Sequence, residues 1–343
     1  MKKIEVGILG ATGVVGQKLV ALLANHPWFE IKELVASERS AGKNYGEYVS
    51  WRETTVLPEI AEKIQIKKVF DRLESKILFS SLDSCIAGEA EQYYRDFGHI
   101  IVSNSKNHRM AMDVPLIIPE VNGDHIDLIR KQQMKNKGFI ITNPNCTVII
   151  IALAIFPLFK TLGLKNLMLT TMQAISGAGY PGVAAVDITG NIIPYIADEE
   201  EKIATELLKI FGKYQHFEVK NANFRISAAC NRVPVNDGHT VSVALDTVEK
   251  SDETTIIHLL SQFKGLDLPS SPPKVIKYFN NCTRPQPKLD IYLGNGMTIS
   301  VSNLRRCEVL DWKLTALGHN TIRGAAGAAI LNAEYLVANN LHI

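Results

Sequence analysis

The first 36 residues of this 343-residue chain constrain its fold more than any other stretch. A short apolar run, Ile4–Leu9, leads directly into the glycine-rich turn GATGVVG at residues 10–16. Apolar residues then recur at helical spacing as far as His26-Pro27, and a second apolar run occupies Ile31–Ala36. This order predicts a βαβ unit of a dinucleotide-binding domain, because the glycines let the backbone approach a pyrophosphate at the helix N-terminus.

The segment after the second predicted strand bears on the choice of cofactor. An NAD site commonly has an acidic residue here for the ribose 2′-hydroxyl, whereas this chain reads ASERSAGK at residues 36–43. Ser37, Arg39, Ser40 and Lys43 are suited to a 2′-phosphate, which favours NADP. Glu38 keeps NAD open as the alternative, and a solvated polar loop is the structural alternative.

Three further apolar runs, Ile77–Leu82, His99–Ser103 and Phe139–Thr142, extend the predicted parallel sheet. Arg109 follows the second run in a loop, and open α/β sheets bind ligands beyond the carboxyl ends of their strands. Arg109 is therefore a candidate anion-binding residue, with an ordinary surface charge as the alternative.

Cys146 follows the last of these strands within the sequence NPNCT, and an apolar run from Val148 to Phe156 comes next. The apolar run predicts a buried helix, and the preceding Asn-Pro-Asn predicts the turn that begins it. Cys146 then lies in the first helical turn, where we expect the helix dipole to lower the thiol pKa and make the sulfur nucleophilic. The alternative is a small buried residue at the start of a core helix.

The second half of the chain has a different pattern. Apolar runs with few helices between them predict a mainly antiparallel sheet and an α+β domain. The predicted strands are Asn166–Gln173, Phe224–Val235, Thr240–Val248, Leu289–Leu293, Met297–Val301 and Trp312–Leu317. Asp198 and Glu201 are spaced as a helix N-cap and its N3 partner, and the small residues from His319 to Glu334 predict a closely packed helix.

The length and composition limit the remaining possibilities. The length favours two domains, and a formal net charge of +2 is too small to indicate nucleic acid or an anionic membrane as a partner. Five widely spaced cysteines indicate neither a disulfide framework nor a metal site, so we expect a reducing cytoplasm. The chain begins without the apolar core of a signal peptide, and the apolar run after Cys146 falls short of the roughly 20 residues that span a bilayer.

Several polar residues in the second half are candidates to act with the thiol. Gln173 ends a predicted strand, and Ser176-Gly177 follows in a tight turn. Arg232 and His239 flank Pro234 in the sequence NRVPVNDGH. A histidine beside a cysteine stabilises the thiolate and exchanges protons with the intermediates. Nothing in the spacing alone brings His239 to Cys146.

The combined motifs resemble the aspartate-β-semialdehyde dehydrogenase family, in particular its archaeal and fungal branch. The resemblance spans nearly the whole chain and is carried by GATGVVG at 10–16, ASERSAGK at 36–43, NPNCT at 143–147, QAISGAGYPG at 173–182, EEEK at 199–202, NRVPVNDGHT at 231–240 and HNTIRGAAGA at 319–328.

This resemblance implies a role for each matching residue. Cys146 would form an acyl thioester, His239 would be the acid/base group and Gln173 would orient the substrate. Arg232 would bind the α-carboxylate and Glu199 the amino group, although Glu200 and Glu201 are adjacent alternatives. The residues implied to hold the substrate's phosphate are Arg109, Asn145 and Lys202. Those implied to contact NADP are Gly10, Thr12, Gly13, Val14, Val15, Gly16, Ser37, Arg39, Ser40, Ser176, Gly177 and Asn320.

The resemblance also implies an overall organisation. An N-terminal Rossmann-type α/β domain, residues 1–145 with 319–343, would bind NADP, and an α+β catalytic and dimerisation domain would occupy residues 146–318. The reaction would reduce L-aspartyl-4-phosphate to L-aspartate-4-semialdehyde, reversibly, in the biosynthesis of lysine through diaminopimelate, threonine and methionine. A homodimer or homotetramer is implied.

Three alternatives remain at this point. N-acetylglutamyl-phosphate reductase has a related architecture, and its motifs match less well. Malonyl-CoA reductase resembles the same branch and shares its thiol and NADPH chemistry, but its substrate has no amino group for an acidic residue. A non-catalytic NADP-binding homologue would be expected to lack the cysteine or the histidine, and both are present.

Overall fold

A computed structural model describes residues 2–342, which form two six-stranded sheets and a short two-stranded one. The strands are β1 Ile4–Leu9, β2 Phe29–Ala36, β3 Ile66–Lys68, β4 Ile77–Ser80, β5 Ile100–Ser103, β6 Phe139–Thr142, β7 Leu164–Gln173, β8 Lys213–Gln215, β9 Glu218–Lys220, β10 Arg225–Arg232, β11 His239–Thr247, β12 Ile276–Phe279, β13 Ile299–Arg306 and β14 Trp312–Gly318.

The helices are α1 Val14–Leu23, α2 Tyr45–Tyr48, α3 Glu59–Glu62, α4 Ser84–Asp96, α5 Pro119–Asn122, α6 Ile129–Gln133, α7 Cys146–Leu162, α8 Ala185–Ile188, α9 Glu199–Ile210, α10 Glu253–Ser261, α11 Pro287–Asp290 and α12 Gly327–Ala338. Short 3-10 turns occupy Gly123–Leu128 and Ile175–Ala178, and a π-helical turn, Ile322–Ala326, precedes α12.

The first sheet is the predicted Rossmann-type sheet. Its order is β3-β2-β1-β4-β5-β6, and every neighbouring pair is parallel. The βαβ unit predicted from residues 4–36 is confirmed. Gly10 has φ +80°, and a Cβ on Gly16 would overlap the Gly10 carbonyl oxygen, so both glycines are needed for the close turn between β1 and α1.

The second sheet is mixed, with the order β10-β7-β11-β14-β13-β12. Its three antiparallel pairs outnumber the two parallel ones, in agreement with the predicted α+β domain. The predicted strand Leu289–Leu293 is wrong, because this segment begins in helix α11 and continues as a turn. The buried Asp290 carboxylate accepts hydrogen bonds from the Gln286 N–H and the Arg284 Nε, 2.7 Å each, which stabilises the helical turn.

Helix α7 is longer than the predicted Val148–Phe156. It begins at Cys146, as expected from the Asn-Pro-Asn turn, and continues through Pro157 to Leu162. The Asn145 side chain caps it by accepting hydrogen bonds from the N–H groups of Thr147 (2.9 Å) and Val148 (3.3 Å). The helix is buried along most of its length in the core it shares with the second sheet.

The predicted capping of helix α9 by Asp198 and Glu201 is wrong in detail. Asp198 does precede the helix, but it adopts a left-handed conformation with φ +63° and its side chain accepts no capping hydrogen bond. Its carboxylate instead accepts from Lys106 Nζ at 3.0 Å, so a contact with a distant loop replaces the local cap.

Helix α12 returns the end of the chain to the first sheet. Ala329, Ile330 and Ala333 pack into the same core as strands β1 to β6. The fully buried Glu334 carboxylate lies 2.7 Å from His26 Nε2 and accepts from the Ser270 N–H at 3.0 Å. One side chain therefore joins the C-terminal helix to both halves of the chain. Within residues 2–342, no helix combines the length and apolar character needed to cross a bilayer.

Replacing Glu334 with alanine tests this buried junction. Glu334→Ala leaves the buried His26 ring and Ser270 N–H without their partner, so we expect the free energy of unfolding to fall by about 3 kcal/mol. Urea unfolding followed by circular dichroism measures the change.

The matched control removes an exposed carboxylate. Glu5 pairs with Lys32 at 3.4 Å on the surface, and Glu5→Ala is expected to cost less than about 1 kcal/mol. Equal midpoints for the two variants would show that the Glu334 junction contributes no more than a surface pair.

Candidate active site

The thiol of Cys146 and the imidazole of His239 lie in direct contact. Cys146 is the first residue of α7 and His239 is the first residue of β11, and the Sγ–Nε2 distance is 3.3 Å. The sheet register brings them together because β11 pairs with β14 and β7, against which α7 packs. The two residues are 93 positions apart, so the sequence alone does not reveal the contact.

The backbone fixes the tautomer of His239. The Ala174 N–H donates to Nδ1 at 3.0 Å, so the neutral imidazole carries its proton on Nε2, the nitrogen that faces Sγ. His239 is fully buried, and burial lowers its pKa to about 3, with smaller contributions from Arg232 and His319. The ring is therefore a neutral hydrogen-bond donor to the sulfur.

The expected lowering of the thiol pKa is wrong for this structure. Burial, followed by the nearby Glu199 carboxylate, raises the pKa of Cys146 to about 11. Hydrogen bonding to Thr147 lowers it, but the Asn145 side chain already accepts the N–H groups of Thr147 and Val148. The helix N-terminus is thus partly satisfied before it can stabilise a thiolate.

Glu199 is the hub of a polar network beside the thiol. Its carboxylate accepts from Lys202 Nζ at 2.9 Å, from Asn145 Nδ2 at 3.0 Å and from Gln173 Nε2 at 3.2 Å. Glu199 is only 8% exposed. These four predicted site residues are therefore held together by one carboxylate.

The neighbouring glutamates are directed elsewhere. Glu200 accepts a hydrogen bond from the Cys230 N–H at 3.3 Å, and Glu201 is exposed. Of the three adjacent candidates, Glu199 is the one whose carboxylate bonds to Asn145 and Gln173.

Arg232 ends strand β10, directly opposite Gln173 in the parallel pairing with β7. Its Nη1 donates to the Ala174 carbonyl at 2.8 Å, so Ala174 contacts both the arginine and the histidine. A Cβ on Gly177 would lie 3.0 Å from Arg232 Nη1 and 3.0 Å from His239 Cε1. Gly177 therefore permits the turn to pass close to these two side chains.

Arg109 forms the other cationic side of the site. Its Nη1 donates to Glu206 Oε1 at 3.0 Å and its Nη2 to the Asn104 carbonyl at 2.7 Å. The second Glu206 oxygen accepts the Asn145 N–H at 2.7 Å, which links Arg109 to the start of α7. Arg109, Lys202 and Lys106 line a cavity of about 310 Å³.

The glycine-rich turn fits a pyrophosphate. Helix α1 begins after Gly13 without any side-chain cap, and a Cβ on the exposed Gly13 would meet only the Gly10 carbonyl oxygen, at 3.4 Å. The first helical N–H groups are thus open to an anion. Gly16 is buried against the turn, and Thr12, Val14 and Val15 are half-buried around it.

The other predicted cofactor residues fall into two groups. Asn320 Nδ2 donates to Ser176 Oγ at 2.8 Å, and its Oδ1 accepts the Gly238 N–H at 2.8 Å, next to His239. Ser37 and Arg39 are exposed at the end of β2, whereas the buried Ser40 hydroxyl donates to the Ser37 carbonyl at 2.7 Å. No hydrogen bond in the described part of the chain joins this loop to the Cys146 cluster.

Two residues of the site were not predicted from the sequence. Gly324, in the π-helical turn, lies so close to Cys146 that a Cβ there would be 2.6 Å from the cysteine Cβ. Glu206 joins Arg109 to the start of α7. The spacing of Glu199, Lys202 and Glu206 places all three on one face of a helix, a signal that could have identified Glu206.

The arrangement defines what can bind and react. The Cys146 thiol, which can attack an acyl carbon, lies beside the Glu199 hydrogen-bond network and several cations. Such a site suits a small substrate with an acyl group, an amino group and two anionic groups. Among residues 2–342, no group of three histidine, cysteine, aspartate or glutamate side chains is arranged to hold a metal ion.

Comparison with known proteins gives the family. A family model for the semialdehyde dehydrogenase NAD-binding domain matches residues 5–129, and one for the semialdehyde dehydrogenase dimerisation domain matches residues 155–323. The aspartate-semialdehyde dehydrogenase of Archaeoglobus fulgidus is 47% identical over 98% of this chain and 99% of its own length. That of Saccharomyces cerevisiae is 42% identical over 99% of both chains.

A solved structure agrees with this relationship. The crystal structure of aspartate-semialdehyde dehydrogenase with NADP from Candida albicans superposes with a TM-score of 0.92 at 39% identity, covering 98% of this chain and 99% of the other. Full-length similarity in sequence, in both domain models and in fold leads to one conclusion: the chain belongs to the aspartate-semialdehyde dehydrogenase family.

Proposed function

We propose that this family member catalyses the reversible, NADP-dependent reduction of L-aspartyl-4-phosphate to L-aspartate-4-semialdehyde and phosphate through a thioester on Cys146. The observation that carries the proposal is the 3.3 Å contact between Cys146 Sγ and His239 Nε2. Glu199, Arg109 and Arg232 lie near enough to influence the thiol electrostatically. The contact supplies a nucleophile with a hydrogen-bond donor, and the charged groups match the charges of an amino acid phosphate.

Each charged group of the substrate has a partner of opposite sign in the site. Arg232 binds the α-carboxylate, because a guanidinium can bind a carboxylate through two parallel hydrogen bonds. Glu199 binds the α-amino group, and Gln173 orients the substrate from the neighbouring strand. Arg109, Lys202 and Asn145 bind the phosphate. When the substrate ammonium pairs with Glu199, Lys202 is no longer its main partner and can turn to the phosphate.

The chain's own groups carry the covalent chemistry. The Cys146 sulfur attacks the acyl carbon, the bond from that carbon to the phosphate oxygen breaks, and the thiol proton leaves with the phosphate. NADPH, when bound, supplies the hydride that reduces the thioester to a thiohemiacetal. The Nε2 proton of His239 is shared with the thiohemiacetal oxygen, and it returns to Nε2 as the carbon–sulfur bond breaks. A proton from solvent then restores the Cys146 thiol.

NADP is the cofactor we propose, and it would bind at the loops that follow strands β1 and β2 of the first sheet. The open N-terminus of α1 and the turn from Gly10 to Gly16 suit the pyrophosphate. Ser37 and Arg39 suit the 2′-phosphate, with Ser40 maintaining the shape of that loop. The Candida albicans relative has been solved with NADP. Residues 1–145 with 319–343 form the cofactor domain in this proposal, and residues 146–318 form the catalytic domain.

The alternative reactions fit the site less well. Malonyl-CoA has no amino group to pair with Glu199, so this buried carboxylate would gain no partner from the substrate and would keep only Lys202 as its cation. N-acetylglutamyl phosphate has an acylated, uncharged nitrogen, which faces the same objection. A non-catalytic role would not require the contact between the thiol and the imidazole.

Assembly and cellular role are part of the same proposal. The outer face of the second sheet exposes Met168, Thr170 and Ser242, which lie on neighbouring strands β7 and β11. A second copy of the chain would cover this face in a homodimer or homotetramer. We place the enzyme in the cytoplasm, in the biosynthesis of lysine through diaminopimelate, threonine and methionine.

Removing the thiol tests the thioester. Cys146→Ala is expected to reduce phosphate-dependent NADP reduction by aspartate semialdehyde by about 10⁴-fold or more, because the covalent step is lost. NADP binding, measured by titration calorimetry, is expected to stay close to that of the original chain. Cys85→Ala, at an exposed cysteine, is the control and should keep full activity. Appreciable turnover by Cys146→Ala would refute the mechanism.

Replacing Arg39 with alanine tests the preference for NADP over NAD. A charge-assisted hydrogen bond to the 2′-phosphate contributes about 1.5–3 kcal/mol, so Arg39→Ala should lower kcat/KM for NADPH by about ten- to a hundredfold. The value for NADH is the internal control and should change little, because NADH has no 2′-phosphate. An equal loss of kcat/KM with both cofactors would mean that Arg39 does not contact the 2′-phosphate.

The exposed sheet face predicts the oligomeric state. The chain has a mass of 37.9 kDa, and light scattering is expected to give twice or four times that value. Met168→Asp, 57% exposed on the sheet face, should shift the mass towards the monomer, because an interface cannot readily bury an unpaired charge. Met134→Asp, 74% exposed next to α6, is the control. An unchanged mass in Met168→Asp would rule out this face as the interface.

A further inference from the structure

Helix α9 has four charged residues on a single face. Glu199, Lys202, Glu206 and Lys209 follow at intervals of three, four and three residues, which is the repeat of one helical face. The first two reach the Cys146 cluster, as described above. The last two are both buried, at 2% and 5% exposure, and both contact the loop that contains Arg109.

Lys209 holds the backbone of that loop. Its ammonium donates to the carbonyls of Arg109 at 2.7 Å, Ala111 at 2.8 Å and Val114 at 3.0 Å. All three N–H groups of the ammonium are therefore used. Residues 109–114 form no helix or strand, so this side chain replaces the regular hydrogen bonds that would otherwise define their conformation.

Glu206 holds the side chain of the same arginine. One carboxylate oxygen accepts from Arg109 Nη1 at 3.0 Å, and the other accepts the Asn145 N–H at 2.7 Å. Arg109 is thus held at two points from α9, through its main-chain carbonyl by Lys209 and through its guanidinium by Glu206. The same carboxylate ties the guanidinium to the residue immediately before Cys146.

The guanidinium keeps donors for a ligand, because Glu206 and Asn104 use only two of its five N–H groups. Arg109 Nε is buried and bonds to no other described atom, and Arg109 lines the cavity of about 310 Å³ described above. A buried donor without a partner is costly, and an anionic oxygen would satisfy it. We expect the strength of phosphate binding by this donor to depend on the distance between the Arg109 guanidinium and Cys146. The two contacts from α9 hold that distance fixed.

We propose that Lys209 is a positioning residue for the phosphate group. Its hydrogen bonds to the backbone of residues 109–114 fix the position of the Arg109 guanidinium relative to Cys146. Lys209 itself touches no substrate atom in this proposal. The inference rests on the proposed function, since it assumes that Arg109 binds the phosphate.

Kinetics of the full-length enzyme in the oxidative direction test the inference. The substrates are aspartate semialdehyde, inorganic phosphate and NADP, and the KM for phosphate and for the aldehyde are measured separately. Lys209→Met has nearly the same length but no donors, so the 109–114 loop loses its support. We expect the KM for phosphate to rise about tenfold or more, because a small displacement of a binding group is costly, while the KM for the aldehyde changes less than threefold.

Two further variants complete the set. Lys209→Arg keeps a buried cation with several donors and is expected to restore most of the phosphate affinity. Lys160→Met, at an exposed lysine of α7, is the matched control and should behave like the original chain. A folded Lys209→Met with an unchanged KM for phosphate, or with equal increases in both KM values, would overturn the inference.

The pH dependence gives a second test that does not require Lys209→Met to fold. Burial lowers the pKa of Lys209 to about 8, and the Asp113 and Glu206 carboxylates oppose this shift. Above that pH the neutral amine has two N–H groups for three carbonyls. The KM for phosphate should therefore rise between pH 8 and about pH 9.5 in the original chain and stay nearly flat in Lys209→Arg, whose guanidinium remains charged.

Other charged groups near Lys209 could also change the KM for phosphate with pH. The charged and titratable groups that face it are Asp113 and Arg109 on the loop, Glu206 on α9, His125 beyond the loop and Glu218 on β9. The arginine variant keeps all of them, so the difference between the two profiles isolates Lys209. Parallel profiles in the two enzymes would overturn the inference.

Failure of the inference can be told apart from failure of the proposed function. If the original chain does not reduce NADP with aspartate semialdehyde and phosphate, the proposed function fails and the inference fails with it. If the original chain turns over and the Lys209 variants bind phosphate as it does, only the positioning role is refuted.

Discussion

The position of Cys146 depends on one constraint, the burial of helix α7. Between Thr147 and Ile155 every residue of this helix is buried, so it must be covered on all sides. The second sheet, helix α9 and the π-helical turn provide that cover. At its N-terminus Cys146 is only partly buried, and the side chain of Asn145 caps that end of the helix. The cysteine is thus located by the packing of the sixteen residues that follow it, and Gly324 allows the turn to approach it closely.

The cations near Cys146 are compensated locally, which explains how a nearly neutral chain can gather several cations in one place. Arg109 pairs with Glu206 and Lys202 with Glu199, at 3.0 and 2.9 Å. A buried guanidinium and a half-buried ammonium without partners would carry a desolvation cost, which these carboxylates offset. Glu206 also bonds to the backbone before Cys146, whereas Glu199 is available to a ligand ammonium. The two carboxylates therefore differ in function although they lie on the same helix face.

Much of the fold follows from local sequence patterns, because the decisive contacts are local. The glycine-rich turn after β1, the alternating strands of the second half and the start of α7 all depend on neighbouring residues. The errors arise where a side-chain hydrogen bond overrides the expected pattern, with a distant partner for Asp198 and with near neighbours in the sequence for Asp290. Asp198 pairs with Lys106 instead of capping α9, and Asp290 bonds to Gln286 and Arg284 instead of ending a strand.

The candidate site shows the same division between local and distant effects. The residue types in NPNCT and NRVPVNDGH indicate a candidate chemistry, since a thiol can act as a nucleophile and an imidazole can exchange protons. The 3.3 Å contact between them requires the pairing of β11 with β7 and β14, which the sequence does not state. The raised pKa of Cys146 was unpredictable for a similar reason. It depends on burial and on Glu199, which is 53 residues away in the chain.

The protonation states of Cys146 and His239 support one another. Because the Ala174 N–H occupies Nδ1 of His239, a second ring proton would face a donor, and the imidazole stays neutral. A neutral ring still presents its Nε2 proton to Sγ, so it stabilises a thiolate without first becoming charged. An imidazolium close to Arg232 would add a second buried positive charge, and burial disfavours that state. In the proposed reaction the same N–H would donate first to the sulfur and then to the oxygen of the thiohemiacetal, because both atoms carry negative charge at successive steps. The backbone amide of Ala174 therefore determines how His239 can act on Cys146.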